Sequence, residues 1–239
     1  MKTALITGGA ARIGAEIAKT LHDNNFEIII HCNQSLEKAQ LLSDRLNSKR
    51  KNTVEIISGD LNNIESISAI VDSIGSLDLL VNNASVFYPK SVDDSGIDDW
   101  NNVMNVNLRA PFFLSKGLSN KLSTNSGSII NIIDIHSERP LKNHAVYNIS
   151  KAGLKMMTQT LAKELAPDIR VNGVSPGSIL WPEASAEISE TEKKLMLERI
   201  VLNRQGAPQD IADTVLFLAN SDYITGQIIN IDGGRTLNQ

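Results

Sequence analysis

The 239-residue sequence predicts an α/β fold, a doubly wound, seven-stranded parallel sheet with helices on both faces. Short apolar runs rich in Val, Ile and Leu alternate with longer stretches of helical character, which is typical of repeated β-α-β units. The apolar runs are continuous rather than alternating, as expected for strands buried on both faces. No linker rich in Pro, Gly and Ser divides the chain, so we expect a single domain over residues 1–239.

Each element follows from this reading of the chain. The predicted strands are residues 3–7, 27–31, 54–58, 77–81, 128–133, 169–174 and 228–231. The predicted helices are 13–24, 36–50, 64–74, a broken region over 97–122, 146–165, 190–202 and 208–219. The carboxyl ends of parallel strands share one edge of a sheet, so the loops that follow them are expected to form one ligand crevice.

Composition excludes several classes of function. A net charge of −4 and a pI near 5.6 argue against a nucleic-acid-binding or anionic-membrane-binding surface. The single cysteine, Cys32, rules out an intrachain disulfide, and the four histidines lack metal-ligand spacing. No secretory segment or membrane span is evident, so we expect a cytoplasmic protein without a metal.

A glycine-rich turn follows the first strand. Thr7-Gly8-Gly9-Ala10-Ala11-Arg12-Ile13-Gly14 lies between a strand and a helix, where backbone N–H groups and the helix dipole hold a pyrophosphate. After the second strand, Asn33, Gln34 and Ser35 supply no acid for a ribose 2′-hydroxyl. With Arg12 nearby, this turn favours NADPH, although Ser35 could also serve as a helix N-cap. Asp60-Leu61 after the third strand predicts either a contact to adenine or a helix cap.

Tyr147 and Lys151 are four residues apart in a helical stretch, which places both on one face. A lysine ammonium beside the phenol would lower the pKa of Tyr147 and prepare it as a proton donor. The same spacing is also compatible with a packed tyrosine and a solvated lysine. The glycine-rich turn favours the functional interpretation.

Together these residues resemble the short-chain dehydrogenase/reductase family along essentially the whole chain. The matching motifs are Thr7-Gly8…Gly14, Asp60-Leu61, Asn82-Asn83-Ala84-Ser85, Asn107, Tyr147-x-x-x-Lys151, Pro176-Gly177 and Asp232-Gly233-Gly234. The resemblance implies a Rossmann-type fold, Tyr147 as the acid, Lys151 on the nicotinamide ribose, Asn107 in a proton relay, and a homotetramer. The cofactor-binding set that it implies is Gly8, Arg12, Ile13, Gly14, Asn33, Ser35, Asp60, Leu61, Asn83, Ala84, Tyr147, Lys151, Pro176 and Gly177.

Two departures from the usual family pattern resemble its pteridine reductase branch. Arg12 stands where glycine is usual, and Asp134 stands in place of the catalytic serine, thirteen residues before Tyr147. In that branch the residue matching Phe87 stacks on the pterin, that matching Ser85 hydrogen-bonds it, and that matching Arg12 contacts both pterin and cofactor phosphate.

A flat aromatic slot suits a heteroaromatic ring better than a simple ketone. Asp134 is then expected to bind the aminopyrimidine edge or to relay protons to Tyr147, with a strand-end cap as the alternative. We expect residues 178–203 to form a substrate lid, in which Trp181 lines the pocket or packs internally.

The sequence is therefore compatible with three functions. The first is NADPH-dependent reduction of a dihydropteridine, of the dihydrobiopterin, dihydromonapterin or dihydrofolate type. The second is reduction of a ketone or 3-oxoacyl thioester, against which Asp134 counts, because a carboxylate repels a developing oxyanion. The third is a non-catalytic NADPH-binding module.

Overall fold

The computed structural model describes residues 1–181 and 189–238. Within these residues the strands form one parallel sheet of seven, in the order β3-β2-β1-β4-β5-β6-β7. The strands are β1 (Lys2–Ile6), β2 (Phe26–Cys32), β3 (Val54–Ser58), β4 (Leu79–Asn82), β5 (Ser128–Ile132), β6 (Arg170–Pro176) and β7 (Ile228–Ile231). Every predicted strand is present within two residues of its predicted bounds, and the predicted fold class is confirmed.

Helices cover both faces of this sheet. They are α1 (Arg12–Asp23), α2 (Leu36–Lys49), α3 (Ile64–Ser73), α4 (Ile97–Met104), α5 (Ala110–Thr124), α6 (Ala145–Glu164), α7 (Glu190–Glu198) and α8 (Pro208–Asn220). One buried cluster joins the sheet to α1, α2 and α8, and a second joins it to α3, α5 and α6. Successive residues of β1 alternate between the two clusters, with Ile6 in the first and Leu5 in the second. The continuous apolar runs of the sequence are explained by this two-sided burial.

The region predicted as a broken helix is an α-helix interrupted by a π-helical turn. Helix α4 continues directly into a π-helix at Asn105–Arg109, which leads into α5. A π-turn inserts an extra residue into the helical repeat and is often found at functional sites. Here it directs the side chain of Asn107 inward, where it is fully buried.

The chain reverses its winding direction between β1 and β4, which are neighbours although β2 and β3 intervene in sequence. Such a switch point leaves a crevice beyond the carboxyl ends of the strands. No helix in the described part of the chain is long and apolar enough to cross a membrane. Among the same residues, no cluster of His, Cys, Asp or Glu is suited to holding a metal ion.

Candidate active site

A cavity of about 910 Å³ opens at the carboxyl edge of the sheet. It runs from the ends of β1, β2 and β3 to the N-terminal end of α6, so it spans both the expected cofactor region and the expected catalytic region. Its wall includes Gly8, Arg12, Ile13, Gly14, Asn33, Asp60, Leu61, Asn83, Ala84, Ser85, Phe87, Asp134, Tyr147, Lys151, Pro176 and Gly177. These are all of the predicted site residues except Asn107, Ser35 and Trp181.

The glycine turn is shaped for close approach of a ligand. Gly8 has a φ of 62°, in the left-handed region that favours glycine. A Cβ at Gly14 would lie 2.3 Å from the carbonyl oxygen of Gly8, so no larger residue fits there. Arg12, at the first turn of α1, has a φ of 52°. This is the left-handed region, so glycine would fit easily at the position of Arg12. The turn therefore presents backbone at a helix N-terminus, as a dinucleotide pyrophosphate requires.

Side chains of neighbouring strands hold this turn in place. The amide nitrogen of Asn83 donates to the carbonyl oxygens of Thr7 at 2.9 Å and of Gly8 at 3.2 Å. His31, at the end of β2, accepts at Nδ1 from the backbone N–H of Gly8 at 3.3 Å. Its Nε2 donates to the carbonyl of Gly59 at 3.1 Å, and burial lowers the pKa of the imidazole and so favours this neutral form. His31 was not predicted from the sequence, because its role depends on packing between three loops.

The end of β2 differs in one respect from the prediction. Asn33 and Gln34 are exposed in the wall of the cavity. Ser35 occupies the N-cap position of α2, yet its side chain makes no capping hydrogen bond. It is also absent from the described wall, so the structure does not place it beside Asn33 as a ligand contact.

Asp60 likewise does not cap a helix. Its carboxylate accepts from the backbone N–H of Asn62 at 2.9 Å, and the cap of α3 is Asn63, which accepts from Ser66 at 3.0 Å. The predicted helix cap at Asp60 is therefore wrong, and its contact to a ligand stays a prediction.

Tyr147 and Asp134 are directly joined. The phenol O–H of Tyr147 donates to one carboxylate oxygen of Asp134 at 2.8 Å. The other oxygen accepts from the backbone N–H of His136 at 2.8 Å, which caps the short 3-10 helix Ile135–Ser137. The two interpretations of Asp134 are therefore compatible, since one carboxylate both caps the strand end and receives the phenol.

The pKa of Tyr147 moves in the direction opposite to the prediction. Burial, the charge of Asp134 and its hydrogen bond raise the pKa of Tyr147 well above 10, and a hydrogen bond from Ser85 opposes them only in part. Lys151 does lie on the same helix face, with Nζ 5.7 Å from the phenol ring centroid. Its ammonium donates to the carbonyl of Ile132 at 3.0 Å, and burial lowers its own pKa to about 8. Spacing along a helix could not reveal this, because the burial of the phenol and the charge of Asp134, in the loop after β5, depend on tertiary packing.

Asn107 links the π-turn to two other parts of the site. Its Oδ1 accepts from the backbone N–H of Val86 at 2.7 Å, and its Nδ2 donates to the carbonyl of Val86 at 3.0 Å. Nδ2 also donates to the hydroxyl of Ser150 at 3.2 Å, and that hydroxyl donates to the carbonyl of Tyr147 at 2.7 Å. Asn107 therefore fixes the loop before Phe87 relative to the helix that carries Tyr147.

Phe87 lies between two aromatic neighbours. Its ring stacks on the imidazole of His144, with centroids 4.7 Å apart and planes inclined by 19°. It meets the ring of Tyr147 edge to face at 4.9 Å. His144 was not predicted to belong to the site; its Nε2 is buried and, among the described residues, has no hydrogen-bond partner.

The lid is described only in part. Residues 178–180 line the cavity, whereas the Trp181 side chain is not in its described wall. The Trp181 ring lies 5.7 Å from Nζ of Lys193, and its carbonyl accepts from Arg12 at 3.1 Å. Trp181 is half-buried in this position, and both of its predicted roles stay predictions. Residues 182–188 of the predicted lid lie outside the described residues, and α7 ends at Glu198, before the predicted end at residue 202.

Comparison with known proteins agrees with this geometry. A family model described as enoyl-(acyl carrier protein) reductase matches residues 8–236. The chain belongs to the short-chain dehydrogenase/reductase family. It is accordingly an oxidoreductase.

Several curated members of the short-chain dehydrogenase/reductase family are similar over nearly their whole length. Pteridine reductase 1 of Leishmania tarentolae is 31% identical, covering 98% of this chain and 96% of the relative. A 3-oxoacyl-[acyl-carrier-protein] reductase of Rickettsia bellii is 37% identical, covering 99% and 97%. Trans-4-hydroxycyclohexanecarboxylate dehydrogenase of Sinomonas cyclohexanicum is 33% identical, covering 98% and 93%. Overall identity alone therefore leaves the choice of substrate to the residues of the site.

Proposed function

We propose that this protein is an NADPH-dependent reductase of dihydropteridines. The observation that carries the proposal is the 2.8 Å hydrogen bond from the phenol of Tyr147 to Asp134, a carboxylate at the position of the usual serine. The aromatic ring of Phe87 beside Tyr147 adds a flat surface that suits a heteroaromatic substrate. The similarity to pteridine reductase 1 over 98% of the chain supports the same conclusion.

The residues at the cofactor end fit a dinucleotide. The Gly8 and Gly14 positions allow backbone to approach the pyrophosphate, and Asp60 and Leu61 line the adenine side. Asn33 and Arg12 would offer uncharged and charged donors to a ribose 2′-phosphate, and the described turn after β2, residues 33–35, contains no acid. When bound, NADPH would supply the hydride that reduces the substrate.

Side chains of the protein would supply the proton that accompanies the hydride. Because its pKa lies well above 10, Tyr147 is a neutral phenol at physiological pH and holds a proton ready for transfer. Rotation of its O–H from Asp134 to a ring nitrogen would deliver that proton, while the ammonium of Lys151 stabilises the resulting phenolate. Asp134 would accept hydrogen bonds from the amino edge of the pteridine and pass a replacement proton to Tyr147.

The assembly and domain structure are part of the same proposal. We expect residues 1–239 to act as one NADPH-binding domain, with residues 178–203 as the substrate lid, within the homotetramer that the family resemblance implies.

Reduction of a 3-oxoacyl thioester is the alternative, and the 37% identity to the relative from Rickettsia bellii favours it. In that reaction negative charge develops on the carbonyl oxygen, next to Tyr147. A carboxylate at Asp134 would oppose this charge, whereas a serine hydroxyl would donate to it. The alternative therefore has sequence similarity in its favour and the electrostatics of Asp134 against it.

Replacement of Phe87 tests the proposed stack. We expect Phe87→Ala to weaken dihydrobiopterin binding by about 10-fold or more, because it removes an aromatic contact worth roughly 1–2 kcal/mol. NADPH affinity should stay within about threefold of the wild-type value. Both are measured by fluorescence titration, with Phe112→Ala, an exposed phenylalanine on α5, as the matched control. Equal loss of both affinities would assign Phe87 a structural role and remove this support for the pteridine proposal.

A further inference from the structure

A cationic side chain that the proposed reaction does not use lies at the substrate end of the cavity. Arg235 begins a short 3-10 helix, Arg235–Leu237, directly after Gly234, which has a φ of 82°. The Arg235 side chain is half-buried and lines the same cavity as Asp134 and Tyr147. A guanidinium carries five N–H donors in a fixed planar arrangement, so its surroundings should supply acceptors.

Those acceptors are missing within the part of the chain that the structure describes. There, the guanidinium of Arg235 forms no hydrogen bond and no ion pair, although its backbone N–H donates to the carbonyl of Asp232 at 3.1 Å. The carboxylates of Asp134 and Asp232 are near enough to favour its charge, while burial lowers the pKa of Arg235. Both carboxylates are engaged elsewhere, Asp134 with Tyr147 and a backbone N–H, and Asp232 with the backbone N–H groups of Gly234 at 2.9 Å and Thr236 at 2.8 Å.

A second cation strengthens the positive potential at this place. Arg199, at the C-terminal end of α7, is close enough to repel Arg235 and lower its pKa further. Two guanidinium groups held near one another are stabilised by an anion that both can reach.

The segment that carries Arg235 is held firmly. Arg139 donates to the carbonyl of Asn238 at 3.1 Å and also to the carbonyl of Thr236. The side-chain amide of Asn238 in turn donates to the carbonyl of Arg199 at 2.9 Å. The positions of the two arginines are thus linked through backbone contacts, which is the preorganisation that a binding site requires.

We propose that Arg235 binds an anionic oxygen group that the substrate carries outside its reacting ring. The site would then favour acidic substrates over neutral ones. Given the proposed function, on which this choice of ligand rests, the anion is a carboxylate of a folate-type dihydropteridine. If the substrate were instead a thioester, a phosphate of its carrier group would supply the same chemistry.

Steady-state kinetics with paired substrates tests this assignment. For Arg235→Gln, we expect the KM for 7,8-dihydrofolate, which carries carboxylates, to rise about 10-fold or more. The KM for 7,8-dihydrobiopterin, whose side chain is neutral, should change less than about threefold. Arg235→Lys keeps the charge and should recover part of the loss. Arg204→Gln, which removes an exposed arginine outside this cavity, is the matched control and should behave as wild type.

The result that overturns the inference is an equal change in KM for both substrates, or no change for either. An NADPH affinity and a thermal midpoint equal to those of the wild type establish that Arg235→Gln is folded. If Arg235→Gln does not fold, Arg235→Lys takes its place in the comparison. If neither pteridine turns over, calorimetric titration of the same two ligands gives the same comparison from their Kd values.

Failure of the proposed function can be distinguished from failure of the anion site. Turnover of acetoacetyl-CoA without turnover of either pteridine would reject pteridine reduction and leave the anion site to be tested. In that case Arg235→Gln should raise the KM for acetoacetyl-CoA but not for acetoacetyl-N-acetylcysteamine, which has no phosphate. An equal effect on both thioesters would reject the anion site as well.

Discussion

At the scale of single residues, Asp134 sets the properties of its neighbours. Its carboxylate, together with burial, raises the pKa of Tyr147, whereas the sequence indicated that Lys151 would lower it. The spacing of Tyr147 and Lys151 on one helix face was predicted correctly, because it depends only on helical geometry. The proximity of Asp134 to the phenol depends on how β5 meets α6, which local sequence does not encode.

Removal of the phenol tests the proton-donor assignment. Tyr147→Phe should lower kcat by about 100-fold to 10,000-fold, the range expected for loss of a general acid. Its affinity for NADPH should remain near the wild-type value, because the O–H acts on the transition state rather than on cofactor binding. NADPH oxidation and fluorescence titration measure the two quantities. Unchanged turnover would reject Tyr147 as the donor.

The buried charge of Lys151 should lower the free energy of unfolding by an amount that depends on pH. Burial lowers its pKa from 10.5 to about 8, so the folded protein holds the charged form less well than the unfolded chain does. The destabilisation is complete below pH 8, decreases between pH 8 and 10.5, and is absent above that range. Lys151→Met should therefore raise the free energy of unfolding at pH 7 by on the order of 1–3 kcal/mol.

Urea denaturation of the two proteins at pH 7 and at pH 10.5 measures the difference. The gain should shrink at the higher pH. A gain that is independent of pH would show that packing, rather than charge, accounts for it.

At the scale of elements, the π-turn Asn105–Arg109 joins α6, which carries Tyr147, to the loop that carries Phe87. The sequence indicated a break in the helix between residues 97 and 122, but it did not show that the chain stays helical through a π-turn. That geometry is selected by tertiary contacts, namely the hydrogen bonds of Asn107 to Val86 and Ser150. No periodicity in the sequence reports them.

Truncation of Asn107 tests this link. Asn107→Ala removes these buried hydrogen bonds and leaves the backbone groups of Val86 without partners, so the free energy of unfolding should fall by about 2–3 kcal/mol. The kcat should fall as well, since Phe87 and Tyr147 lose their common support. Asn101→Ala, at an exposed position of α4, should change stability by less than about 0.5 kcal/mol. Equal effects of the two substitutions would contradict the proposed link.

The strands and helices themselves were predicted closely. The strands are short apolar runs buried on both faces of the sheet and most helices bury one apolar face, so hydrophobic pattern alone locates them. Ser35 was predicted to bind the cofactor or cap a helix, and Trp181 to line the pocket or pack, and neither lies in the described wall of the cavity. His31 and His144 were missed because their contacts with Gly8, Gly59 and Phe87 join parts of the chain that are distant in sequence. Arg235 was missed because its place in the cavity wall depends on tertiary packing.

At the scale of the whole molecule, the parallel sheet brings the strand-end loops to one edge. The sequence was sufficient to predict this convergence, since the carboxyl ends of parallel strands share one edge of a sheet. Substrate choice depends instead on a few side chains within that common frame. Relatives with similar identity to this chain are named as a pteridine reductase and as 3-oxoacyl reductases. A shared fold with different substrates is what this dependence on a few side chains predicts.

The most direct test of the central claim is anaerobic NADPH oxidation by the purified protein. Dihydrobiopterin, dihydrofolate and acetoacetyl-CoA would be compared side by side at equal concentrations. We predict turnover of at least one dihydropteridine, with kcat/KM at least about 100-fold above that for the thioester, a difference of about 2.7 kcal/mol in transition-state stabilisation. Turnover of the thioester alone would rule out pteridine reduction and would reduce Asp134 and Phe87 to structural residues.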